Sequence, residues 1–221
     1  AKVEIRHNNG QVGFNPPIMP AVGEQGLQNL VAGKFSHYPN TNLLWYEPVC
    51  GKVGCYNVSA QGHKLASVSS ANDWRRTWKL IVPGNFGGAA HGAYTDLLFY
   101  DPTQGHGEFY YVDDCTLVPP PNGRHTNWRK TWRSIVPGNF GGQGTTDLFF
   151  YDPYTKQGRF YATDGDGDIQ PIGNTINLVD EPAWLIIVPG NFTGSPYTEL
   201  LFYAPDGGNA RFYRTDGHGN L

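Results

Sequence analysis

Three times along this chain an apolar run closes on the same six residues, IVPGNF, beginning at Ile81, Ile135 and Ile187. A second run follows each time: TDLLFYD, TDLFFYD and TELLFYA. Its apolar residues are consecutive rather than alternating, the pattern of a strand buried on both faces. A third run reads GEFYYVDD, GRFYATDG and ARFYRTDG. Turn formers separate the runs: Pro-Gly-Asn, then Asp-Pro with Gly, then Asp-Gly-x-Gly. A fourth strand is expected within HKLASVS and DIQPIGN.

A drifted copy, VAGKFSHYPNTNLLWYEP, begins at Val31, so the aligned valines are 31, 82, 136 and 188, spaced by 51, 54 and 52 residues. A period near fifty without helical patterning points to radial or stacked β units. Four antiparallel strands per unit around an axis make a propeller blade. The expected fold is therefore all-β: a single small β-propeller over residues 1–221, with repeats at about 31–81, 82–135, 136–187 and 188–221. Four blades are favoured and five remain open. Residues 1–30, whose KVEIRHNNGQV aligns loosely with RFYRTDGHGNL at the other end, would supply a closing strand that removes an exposed edge. Gly84, Gly138 and Gly190 are expected to permit a bend, and the Pro before each to preset φ.

Composition supports short strands and tight turns: of 221 residues, 29 are Gly and 17 Pro, and aromatics reach 14%. The net charge is −3 and no Lys/Arg run tracks a phosphate backbone, which argues against nucleic acid. No apolar stretch is long enough to span a membrane. The chain opens on Ala1 without a leader-like apolar segment, as expected of a processed or shortened form. Cys50 and Cys55 flank GKVG and either face each other as a disulfide or stay free; Cys115 would then be free or intermolecular. Sequons at Asn57 and Asn191 fit a secreted protein.

The stretch NFGGxGxTDLLFYD resembles FG-GAP and VCBS propeller repeats, and the four repeats cover most of the chain. The family's loop often holds Ca²⁺ through alternating acidic positions. Carried onto the third copy, these positions are Asn139, Gly141 and Gln143, then Gly144 and Asp147; one carboxylate survives. The resemblance thus implies weak Ca²⁺ binding at most, with Asp96 and Asp147 bonding backbone N–H groups instead. Its relatives include integrin-type interaction domains and small secreted propeller lectins.

No HExxH or GxSxG motif accompanies the seven His, so nothing here marks an enzyme. TDGDGD alternates Asp164, Asp166 and Asp168 with Gly, which reads as a Ca²⁺ loop start or as a turn with solvated carboxylates. Asp164 and Asp216 recur at one repeat position. NDWRRTW and TNWRKTW place Trp74–Arg75 and Trp128–Arg129 alike in two repeats. Aromatic faces beside Arg, Asp and Asn suit saccharides; a Trp packed under a loop with Arg stacked on it is the structural alternative. The expected function is a non-catalytic, multivalent lectin. Its ligand residues would be Trp74, Arg75, Trp128, Arg129, Asp164 and Asp216. It would require no cofactor, and Asp147, Asp164, Asp166 and Asp168 would be its weak Ca²⁺ candidates. Its partners would be glycans or glycoproteins, with a homodimer left open. A protein-interaction or storage propeller is the alternative, and an enzyme or enzyme inhibitor a third.

Overall fold

The structure is a computed structural model that describes residues 29–59, 64–71, 73–141 and 144–221. The expected closing segment, 1–30, lies outside the described residues except for its last two. The described chain is all-β, with one antiparallel sheet per repeat and a single helical turn. The first sheet is β1 (Asn29–Gly33), β2 (Asn42–Glu47), β3 (Lys52–Val58) and β4 (Lys64–Ala71), in that order. The second is β5 (Leu80–Gly84), β6 (Asp96–Asp101), β7 (His106–Asp113) and β8 (Thr116–Val118), with β9 (Arg124–His125) also on β7 and α1 (Gly88–His91) between β5 and β6. The third is β10 (Ser134–Gly138), β11 (Asp147–Asp152), β12 (Gln157–Thr163) and β13 (Ile169–Asn177). The fourth has three described strands, β14 (Ile186–Gly190), β15 (Glu199–Ala204) and β16 (Asn209–Tyr213).

The chain divides into two compact units. One holds the described residues up to Trp78 together with Val112–Leu117; the other holds Lys79–Tyr111 and Val118–Leu221. In the first unit, Cys55 and Cys115 form a disulfide with Cα atoms 5.9 Å apart. Nearby, His37 donates its amide to Asp114 at 3.0 Å, and its ring lies 2.8 Å from the same carboxylate. Of the two readings left open for Cys50 and Cys55, a shared bridge is ruled out by register: Glu47 faces Lys52, so Cys50 sits in the turn, whereas Cys55 is opposite Leu44, buried and bonded to Cys115. Cys50 is exposed and free.

In the second unit the sheets stack face to face. Val82, Leu98, Tyr100 and Phe109 of the second sheet pack on Ile135, Leu148 and Phe150 of the third. The third sheet's other face, Val136, Phe149, Tyr151 and Phe160, packs on Leu200, Phe202 and Ala204 of the fourth. All four apolar residues of β6 and of β11 are thus at most 1% exposed, as their unbroken apolar runs foretold. On the fourth sheet the next equivalent face is exposed: Val188, Phe192, Tyr203 and Phe212 occupy the positions of Val136, Phe140, Tyr151 and Phe160.

The Pro-Gly of each repeat is not the turn. Pro83 pairs with Leu97 and Gly84 with Asp96 inside the ladder, and β10 and β14 do the same. Each Pro lies on the edge strand of its sheet, where a missing N–H is tolerated. Glycine is required for space: a Cβ at Gly84, Gly138 or Gly190 would come within 2.6 Å of the ring of Phe86, Phe140 or Phe192, which folds back over it. Those rings then meet Phe109, Phe160 and Phe212 at 5.0, 4.8 and 5.1 Å. Burying one such ring contributes about 2–3 kcal/mol.

The recurring acid closes the corner. Phe86 and Gly87 donate their amides to Asp96 at 3.0 and 2.7 Å, and Phe140 donates to Asp147 at 2.8 Å. Glu199 accepts from Phe192 and Thr193, and Asn42 from Phe35 and Ser36. This is the backbone-bonding role weighed above for Asp96 and Asp147.

Candidate saccharide cleft

Trp128 is set in place by two glycines. Its amide donates to the Gly105 carbonyl at 2.9 Å, and Gly105 sits at φ +70°, in the left-handed region. A Cβ at Gly107 would fall 2.2 Å from the Trp128 ring, so glycine there leaves the indole its seat. The indole stacks on His125 with centroids 5.1 Å apart and meets Phe150 edge-on at 5.2 Å. His125 Nε2 in turn lies 2.7 Å from the Gly167 carbonyl.

Arg129 sits over Trp132, its guanidinium carbon 4.6 Å from the ring centroid. Its Nη1 donates to Gln157 Oε1 at 3.0 Å, Thr155 Oγ1 at 3.2 Å and Asp152 Oδ2 at 3.3 Å. Burial pushes the Asp152 carboxyl up, but hydrogen bonds from Thr131, Thr155 and the turn amides outweigh it and hold the group below its ordinary value. The Tyr100 hydroxyl donates to the Arg129 carbonyl at 2.6 Å, and burial raises its pKa well above the usual phenol range.

Around these groups opens a cleft of about 400 Å³. Trp128, Trp132, Phe150, Tyr161 and Ile169 form its apolar wall, and His125, Asn127, Arg129 and Asp168 its polar one. The sequence offered Trp128 and Arg129 as ligand candidates and Asp168 only as a weak metal candidate, and all three line this cleft. Sequence reasoning missed His125, Asn127 and Tyr161. Asn127 did leave a signal: like Asp73 before Trp74, it is an Asx before the Trp and sits at φ +65°. His125 and Tyr161 left none, because they arrive from different repeats.

Asp164 is a turn pivot: its Oδ1 accepts from the Asp166 and Asp168 amides at 2.8 and 3.0 Å. Asp216 repeats this with His218 and Asn220 at 2.8 and 3.1 Å. The Asn220 side chain, then these amides, hold the Asp216 pKa down at about 2. Both carboxylates are thus engaged by their own loops. Asp147 bonds its corner rather than joining Asp164, Asp166 and Asp168, and among the described residues no group of three or more His, Cys, Asp or Glu could hold a metal.

Trp74 and Arg75 use the same scaffold in the first unit. The Trp74 amide donates to Gly51 at 2.9 Å, the Tyr46 hydroxyl donates to the Arg75 carbonyl at 2.6 Å, and the Arg75 guanidinium lies 4.6 Å from the Trp78 ring. The cleft beside Trp74 is smaller, about 250 Å³, and lined mostly by apolar groups including Leu44, Val53 and Leu117. Of the two sequons, Asn57 is buried and accepts from Ser36 Oγ at 2.8 Å, whereas Asn191 is exposed. No protein-family model matches the chain, and no curated protein matches it either.

Proposed function

We propose that this chain is a non-catalytic, secreted carbohydrate-binding protein, a multivalent lectin built as a β-propeller with one blade per repeat. The observation that carries the reading is the Trp128 cleft. It offers aromatic faces for the apolar C–H patch of a pyranose, with His125, Asn127, Arg129 and Asp168 around them for hydroxyls. Trp74, held by the equivalent backbone bond, is a second and more apolar candidate pocket. Two weak sites gain by avidity on a glycan-covered surface. The propeller reading draws on the face-to-face stacking of the second, third and fourth sheets and on β5, β10 and β14 lying side by side. The disulfide and the exposed Asn191 sequon fit an oxidising, extracellular setting.

The test is retention on immobilised neutral monosaccharides with elution by the free sugar. Passage through every column would remove the lectin reading. A second reading, a protein-interaction propeller, is favoured by the exposed Val188, Tyr203 and Phe212 on the fourth sheet. It expects a sugar-independent complex, or a homodimer, that Phe212→Asp disrupts.

A further inference from the structure

A larger cleft, about 610 Å³, lies in the second unit and is not used by the reading above. Lys79, Leu80, Tyr100, Pro102, Lys130, Thr131, Trp132, Arg133 and Tyr154 line it, with Lys79, Lys130 and Arg133 as three cations and no carboxylate. That is unusual on a chain whose net charge is −3. Two of the three are anchored through their backbones: the Lys79 amide donates to the Tyr100 carbonyl and the Arg133 amide to the Tyr151 carbonyl, both at 2.9 Å. Their side chains have no ion-pair or hydrogen-bond partner among the described residues. The Asp152 carboxylate, which accepts from the Thr131 hydroxyl at 2.6 Å and from Arg129, is buried and does not line the cleft. Tyr154 stands beside the cations 79% exposed, a flat face held up by a turn whose amide bonds Asp152 at 2.9 Å.

Three unpartnered cations converging on one concave wall raise the local concentration of anions, and Arg and Lys can close on sulfate or carboxylate oxygens by charge-assisted hydrogen bonds. The exposed Tyr154 ring adds a stacking face for the sugar that carries the charge. The geometry points to a second binding site, formed by Lys79, Lys130, Arg133 and Tyr154, for the anionic group of a charged polysaccharide, sulfated or uronic. It goes beyond the neutral-saccharide reading and does not depend on it, since Trp128 is not part of its wall. Trp132 lines both clefts, so one chain of sugars could touch both.

The test is binding of the full protein to immobilised dextran sulfate, polygalacturonate and uncharged dextran. The sulfated or the uronic probe, or both, should be held about tenfold more tightly than dextran at low salt, and the advantage should fall as salt rises. Which anionic probe binds identifies the source of the charge. Lys130→Ser with Arg133→Ser should lose about tenfold in this binding. Lys52→Ser with Arg76→Ser, which removes the same charge from exposed positions elsewhere, should change it less than about twofold. Trp128→Ala separates the two sites, because it should weaken neutral-sugar binding and leave anion binding standing. Equal binding of all three probes, or equal losses in the two double variants, would overturn the proposal.

Discussion

Asn139 and Thr198 tie one repeat to the next. The Asn139 amide donates to Thr198 Oγ1 and the Thr198 amide returns a bond to the Asn139 carbonyl, both at 2.8 Å. Asn85 and Thr146 make the same pair one repeat earlier, also at 2.8 Å each way. The hydroxyl is the part a substitution can remove. Thr198→Val should cost about 0.5–1.5 kcal/mol in urea unfolding, while Thr198→Ser should be close to neutral.

The corner acids permit a sharper comparison. Asp147 is fully buried and bonds Phe140, while the first sheet fills the same position with Asn42. Asp147→Asn should therefore keep most of the stability, whereas Asp147→Leu strands the corner amide and should cost about 1–3 kcal/mol. If these bonds rather than a cation hold the corner, EDTA will leave the melting temperature unchanged.

The disulfide closes a separation of 60 residues. On the chain-entropy account, Cys55→Ser with Cys115→Ser should cost about 4 kcal/mol. Cys50→Ser should be silent. Thiol titration should find one reactive group in the native protein and three after reduction and unfolding.

Asp216 gives a pH signature. Its folded pKa, about 2, lies below the ordinary aspartate value of 3.8. A depressed carboxyl contributes stability that is present above 3.8 and is lost as pH falls through about 2. A carbon-detected NMR titration should place its midpoint near 2, and Asn220→Ala should move it upward, since the Asn220 side chain is its strongest partner.

The strands were legible because each repeat writes them again: an apolar run such as LFFY between turn residues has one reading, a doubly buried strand. The glycines of the PGNF segments were placed correctly and explained wrongly. That a Phe ring two residues on folds over Gly138 is a packing fact with no periodic trace. The partner of Cys55 was hidden for a similar reason, since it lies a full repeat away. At the cleft, Trp128 and Arg129 were visible through their echo in Trp74 and Arg75. His125 and Tyr161 have no such echo as a pair, because only the stacking of the second sheet on the third brings them together.

The most direct test is a glycan array probed with the wild-type protein, Trp128→Ala and Asp168→Ala, with and without EDTA. Wild-type protein should bind neutral glycans selectively, unchanged by EDTA, with binding weakened about tenfold or more in both variants at a temperature where both remain folded. A blank array, or binding indifferent to both substitutions, would contradict it.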